Sequence, residues 1–168
     1  MSGMKPACDM KSAPVYCKPD TTGEVLKWVC AGLGDDVADY GANLTIGVWA
    51  GTILLAGIIL NDHRPNVDVW LTIYSTNKRW CTRAVVKYVF NVVFTLMNCR
   101  RANVFISKDN HKSLNLAQGL GFKIEGLLRQ YRENGADCYV LGMLKTECKW
   151  LWEKAKHQNK VQSHISNI

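Results

Sequence analysis

Residues 100–126, RRANVFISKDNHKSLNLAQGLGFKIEG, place three elements in close succession. The apolar run at 102–107 reads as a strand. The polar turn after it carries Asn110 and Ser113, residue types whose side chains bond nearby backbone and open helices. A short helix follows and stops at Gly119 and Gly121, and a new strand opens at Phe122. Glycine ends a helix at low strain because it has no Cβ to oppose a left-handed turn.

The flanking sequence extends this unit. Residues 67–74, VDVWLTIY, predict a strand, and Ser75, Thr76 and Asn77 can cap the helix expected over 79–98. On that helix Trp80, Ala84, Tyr88, Val92 and Leu96 share one face, and Val85, Val89 and Val93 widen it, as for a helix packed on a sheet. Strands are expected at 122–130 and 137–145, joined near Glu133, Asn134 and Gly135, with Asn-Gly as a hairpin turn signal. A weak first strand is read around Val15, Tyr16 and Cys17. A helix with a threonine cap starts near Thr21, Thr22 and Glu24, and a loop is read at 61–66. The order around 67–126 suits a mixed sheet with helices on its faces, an α/β (α+β) fold.

Residues 44–60, LTIGVWAGTILLAGIIL, carry no charge, and 17 residues is the lower limit for a membrane helix. Their β-branched content, the glycines at 47, 51 and 57, and the turn at Ala50, Gly51 and Thr52 favour a buried hairpin. No membrane span is expected. A chain of 168 residues is the size of one domain. Seven cysteines, an odd number without CxxC spacing, argue against a disulfide framework and against a zinc site, and imply a reducing compartment. The formal charge of +7 favours anionic partners. Charge is all that supports nucleic-acid binding.

The order Asn110-x-x-Ser113, Leu120-Gly121-Phe122 and Glu125-Gly126 resembles the second half of the GNAT superfamily, the acetyl-CoA-dependent N-acetyltransferases. The resemblance spans about residues 43–144. It implies a single GNAT-like domain at 1–145, with a helical tail at 146–168 bearing Cys148, Leu151, Trp152 and Ala155 on one stripe. It also implies two parallel strands, 67–74 and 102–107, that splay apart around the pantetheine arm of acetyl-CoA, with the backbone of Leu71 and Ile73 meeting that arm. The wording around Arg79-Trp80-Cys81-Thr82-Arg83 is similar to GNAT-like proteins of tailed bacteriophages, which implies a host-cytoplasmic or virion location. Otherwise a cytoplasmic one is expected.

The resemblance puts the cofactor's pyrophosphate at the turn formed by Lys78, Arg79, Trp80, Cys81, Thr82 and Arg83. Family members carry glycines there, and this chain has Asn77 and Arg79 in their place. Three cations at a helix start oppose its dipole unless an anion sits there, and arginine takes phosphate through two N–H groups. Asn110 and Ser113 fall near the pantetheine and the thiol. Ser113 is the expected proton donor to the leaving thiolate, because Ala117 stands where many relatives have tyrosine. Glu133 is the first choice for the base, ahead of Asp137 and Glu125, and Tyr139 either orients substrate or packs in the core. Each of these residues also has a purely structural explanation, as cap, first-turn residue or hairpin surface. The reading is an N-acetyltransferase acting on a protein N-terminus, a lysine or a small amine. Its rival is a catalytically silent fold of the same kind used as a structural or interaction module.

Overall fold

The computed structural model describes residues 13–151. Seven strands form one mixed sheet: β1 Val15–Pro19, β2 Asn43–Ala50, β3 Ile53–Arg64, β4 Asp68–Ser75, β5 Arg101–Ser107, β6 Lys123–Leu128 and β7 Cys138–Leu144. Their order across the sheet is β1-β2-β3-β4-β5-β7-β6. Every neighbouring pair is antiparallel except β4 and β5. The uncharged run is the β2–β3 hairpin, turning at Gly51, whose φ is 61°. No helix among the described residues is long and apolar enough to cross a membrane.

Alternation along the strands sends side chains to two faces. Val69, Leu71, Ile73, Val104 and Ile106 point to one face. There they pack with Val85 and Val89 of helix α2, Arg83–Asn91, and with Leu114 and Ala117 of helix α3, His111–Leu120. The other face is covered over β2–β4 by helix α1, Glu24–Leu33, through Val25, Val29 and Cys30, which cluster with Tyr40 and Ile59. Helices therefore lie on both faces. Gly57 and Gly47 bring α1 close: a Cβ on Gly57 would collide with Val29 and reach Val25 at 2.9 Å.

Several local details differ from the sequence reading. The Asp20 carboxylate, rather than a threonine alone, caps α1, accepting from the N–H groups of Gly23, Val25 and Leu26 at 2.9–3.2 Å. Partial burial pulls this carboxyl upward, but the backbone donors at Thr22, Leu26 and Val25 outweigh it and hold it below its usual range. Strand β3 runs on to Arg64, through the segment read as a loop. A bulge with Asp62 at φ 50° absorbs the turn-forming residues, and Arg64 is held in place by Asp68. The single helix expected over 79–98 is three pieces: a 3-10 turn Lys78–Trp80, helix α2, and a π turn Val92–Leu96. Asn77 caps the first piece and Thr82 starts the second, so the two local caps divide the run.

Of the tail stripe, Cys148 and Leu151 follow a 3-10 turn, Lys145–Glu147, and Trp152 and Ala155 lie outside the described residues. The Trp150 indole N–H donates to the Leu120 carbonyl at 2.7 Å, and Lys149 Nζ donates to Gly119 at 3.2 Å. These bonds satisfy the last carbonyls of α3 and hold the chain across its end. Six cysteines among the described residues are free thiols, and burial pushes Cys17 up to about 11.

The close approach of α1 to the hairpin makes a direct prediction. Gly57→Ala should lower stability by about 2 kcal/mol through overpacking, read as a reduced denaturant midpoint with an unchanged slope. A midpoint equal to that of the parent chain would show that α1 does not sit on Gly57.

Candidate active site

The two parallel strands are paired only at one end. Asp68 faces Arg101, Val69 faces Ala102 and Trp70 faces Asn103, and the ladder stops there. Beyond Trp70, β4 remains paired with β3 as far as Ser75, and β5 remains paired with β7 as far as Ser107. Each strand thus follows its outer neighbour, and a wedge opens between them.

The closed end is held by a line of polar side chains on the α1 face. Asp68, only 3% exposed, takes a two-point ion pair from Arg64 with both contacts at 2.6 Å. Asn103 Nδ2 donates to the same carboxylate at 2.9 Å. Arg101 donates to Asn103 Oδ1 at 2.5 Å and pairs with Glu125. The last step crosses Gly142, where a Cβ would lie 2.5 Å from both the Arg101 guanidinium and Glu125. One chain of contacts therefore ties β3, β4, β5 and β6 at the level where β4 and β5 are still joined. The Arg64 hydrogen bonds hold Asp68 below the usual carboxylate range against the upward pull of burial, with Asn103 assisting.

The open end presents backbone. Val67 C=O accepts from the N–H groups of Arg100 and Arg101, so odd-numbered residues of β4 turn toward β5. With the ladder ended at Trp70, the carbonyl of Leu71 and both polar groups of Ile73 face the wedge. The helices following β4 and β5 begin at this same end. Helix α2 starts at Thr82, whose hydroxyl accepts from Val85 N–H at 3.2 Å, and α3 starts at Asn110, whose side chain accepts from Ser113 N–H at 3.1 Å. The remaining first-turn N–H groups of each helix have no partner within the helix, and the positive end of the helix dipole adds to them. A wedge at the carboxyl ends of parallel strands, flanked by two helix starts, is a ready place for an anionic ligand.

The residues singled out from sequence occupy distinct settings. Lys78 and Arg83 are exposed beside the start of α2. Arg79 donates through its guanidinium to the Ala13 carbonyl at 2.9 Å. Trp80 is buried in the main core, and Cys81 is half-buried with its thiol raised by desolvation. No residue from Thr76 to Thr82 has a positive φ. The turn therefore needs no glycine, which explains how Asn77 and Arg79 can occupy the glycine positions of the family pattern. Ser113 is half-buried in the first turn of α3. Glu133 is exposed in the connection between β6 and β7, and no hydrogen bond among the described residues joins it to Ser113. Asp137 is engaged by Gln130 N–H at 3.1 Å and by Lys108 at 3.5 Å, and Glu125 by Arg101. Tyr139 packs against the main core. Among the described residues no group of three or more His, Cys, Asp or Glu side chains is placed to hold a metal ion.

One feature of the wedge has no signal in the local sequence pattern. On the α1 face, Trp70 stacks on Phe105 at a centroid distance of 4.0 Å and an interplanar angle of 13°, and Phe105 stacks on Tyr131 at 5.1 Å. Alternation shows that Trp70 and Phe105 leave their strands opposite to the buried aliphatics. Their meeting depends on the β4–β5 register, which no local pattern encodes.

No protein-family model matches this chain, and no curated protein matches it. Solved structures do. Spermidine N-acetyltransferase from Vibrio cholerae, in complex with CoA and spermine, aligns at TM-score 0.65 and 13% identity over 79% of this chain and 96% of that one. The dodecameric form of that enzyme gives 0.65 and 14%, over 79% and 94%. Ribosomal-protein-S5-alanine acetyltransferase from Vibrio fischeri gives 0.55 and 17%, over 67% of each chain. The chain has the fold of these GNAT acetyltransferases.

The closed end of the wedge should be acid-sensitive. A carboxyl lowered in the folded state adds stability above its unfolded pKa, near 3.9, and loses it as pH falls through the folded value. Asp68→Asn should therefore be less stable than the parent by about 2 kcal/mol at pH 7, with the gap narrowing below about pH 4. Denaturant midpoints from pH 3 to 7 measure this. A gap that stays constant across that range would contradict the Arg64–Asp68–Asn103 assignment.

Proposed function

We propose that this protein is an N-acetyltransferase that moves an acetyl group from acetyl-CoA to a primary amine. The observation that carries the reading is the parting of β4 from β5 immediately after Trp70 and Asn103, with two helix starts at the open end. The residues present suit the group: Leu71 and Ile73 offer unpaired backbone to an amide-bearing arm, and the start of α2 offers N–H groups with Lys78 and Arg83 for a diphosphate. Shared fold with enzymes that acetylate amines supports the same reading.

Bound acetyl-CoA supplies an activated acetyl thioester, whose C–S bond breaks as the amine nitrogen forms the new amide. The acceptor enters as an ammonium ion and must lose one proton before it can attack. Glu133 takes that proton through water. The Ile73 N–H, directed into the wedge, would hold the negative charge that develops on the carbonyl oxygen. Ser113 gives its hydroxyl proton to the departing sulfur and is restored by the second proton released from nitrogen. Asn110, with its Oδ1 committed to the α3 cap, fixes the turn that presents Ser113.

A silent fold is the second reading. It is favoured by the tie of Arg79 to Ala13 and by the aromatic stack beside the wedge.

Two measurements separate these readings. Acetyl-CoA in hundredfold excess over its Kd should stabilise the protein by about 2.7 kcal/mol, a Tm rise of several degrees, and Lys78→Glu with Arg83→Glu should weaken that binding at least tenfold. No Tm shift at millimolar acetyl-CoA would overturn the enzyme reading. Ser113→Ala should lower kcat by about a hundredfold or more while leaving acetyl-CoA affinity unchanged, and equal rates for the two proteins would remove Ser113 from the chemistry.

A further inference from the structure

The aromatic stack has a position and an exposure that the fold does not require. Trp70 lies on the last paired rung of β4, Phe105 two residues past the matching rung of β5, and Tyr131 in the connection after β6. All three rings lie on the α1 face, opposite to α2 and α3. Trp70 and Phe105 are half-buried, and Tyr131 is 48% exposed. The row therefore runs from the point where the strands part to solvent, and it ends on an open ring. Tyr131 also lines a cavity of about 660 Å³ with Leu127, Leu128, Arg129, Gln130 and Asp137.

The carboxylates on this side of the molecule are already engaged. Asp68 is bound by Arg64 and Asn103, Glu125 by Arg101, and Asp137 by Lys108 and Gln130 N–H. Asp109 accepts from the Ser107 hydroxyl and is held low by that bond, Asp35 accepts from the Tyr40 hydroxyl, and Asp36 and Asp39 accept from backbone N–H groups of their own turn. These bonds leave Glu133 as the carboxylate without a bonded partner among the described residues, and a chain of net charge +7 disfavours an acceptor with several ammonium groups. An aromatic face, by contrast, takes a flat ring by stacking or a single ammonium by cation–π attraction.

We infer that the acceptor is a monoamine carried beside an aromatic ring, and that Tyr131, supported by Phe105 and Trp70, determines this specificity. The inference rests on the acetyltransferase reading and deepens it. The ring of the acceptor lies on Tyr131, and its amine reaches toward the wedge. In the transfer nitrogen gains the acetyl group, sulfur gains a proton, and one proton goes to solvent. Free arylalkylamines and peptides with an aromatic first residue share this chemistry, and polyamines do not. In this respect the chain departs from the spermidine-acetylating proteins that share its fold.

The test uses the full chain with acetyl-CoA and four acceptors: phenethylamine, a peptide beginning with Phe, propylamine and spermidine. Acetylated product is read by mass spectrometry, and acetyl-CoA binding is measured alongside. The expected result is a kcat/KM about tenfold or more higher for an aromatic acceptor than for propylamine or spermidine. The ratio between phenethylamine and the peptide then tells which source is used. Tyr131→Ala should raise KM for the aromatic acceptor about tenfold and leave acetyl-CoA affinity and the propylamine rate unchanged, while Tyr131→Phe should behave as the parent. Equal or better turnover of spermidine, a Tyr131→Ala effect shared by all acceptors, or cofactor binding without transfer to either aromatic acceptor would overturn the inference and leave the cofactor site standing. Absence of acetyl-CoA binding would remove the acetyltransferase reading and this inference with it.

Discussion

The wedge depends on a buried carboxylate. Asp68 sits on the first of the three rungs that join β4 and β5, and it is bound at once by a neighbour on β3 and a neighbour on β5. A carboxylate so far from water is tolerable only with its charge and its lone pairs satisfied. Arg64 supplies the charge and Asn103 a further donor. The need to satisfy Asp68 thus fixes the spacing of β4 and β5 at one end. Beyond Trp70 and Asn103 no backbone ladder joins the two strands, the Trp70–Phe105 stack spans them on one face, and each keeps to its outer partner. The opening is a consequence of where the tie is placed, with no strain needed to hold it.

The same arrangement explains the distribution of polarity around the gap. Parallel strands must be followed by crossovers, so α2 and α3 start at the same end of the sheet. Their first-turn N–H groups and dipoles make that end positive before any side chain is counted. Lys78 and Arg83 add charge to the start of α2 that the helix itself does not favour, and an anion there would relieve the conflict. On the opposite face the polar line from Arg64 to Glu125 gives way to Trp70, Phe105 and Tyr131. A cofactor arm and an acceptor can then approach the wedge from different faces of the sheet.

Much of the fold was legible from the sequence. The hairpin turn at Gly51, the stop at Gly121 and the alternation of Val69, Leu71 and Ile73 are local signals, and they placed the elements within a few residues. Asn110 and Ser113 were readable as the opening of α3 because a cap is a local bond. Three features were not legible. The 79–98 helix keeps its apolar period through Cys81, and only the competing caps at Asn77 and Thr82 show the break. The extension of β3 to Arg64 depends on a bulge and an ion pair to a residue across a turn. The aromatic row depends on the register of two strands whose paired residues Trp70 and Asn103 lie 33 positions apart along the chain, and on the still longer separation of Trp70 and Tyr131. Tertiary register of this kind leaves no trace in local periodicity.

Residue-resolved amide hydrogen exchange, with and without acetyl-CoA, tests the central claim most directly. In the free protein the amides of Asp68–Trp70 that face β5 should be protected, while those of Ile73 and Phe105, directed into the gap, should exchange quickly. Saturating acetyl-CoA should slow Ile73 and the first turn of α2 and leave the closed end unchanged. Slow exchange at Ile73 and Phe105 in the free protein, or no change at Ile73 on adding acetyl-CoA, would contradict the account.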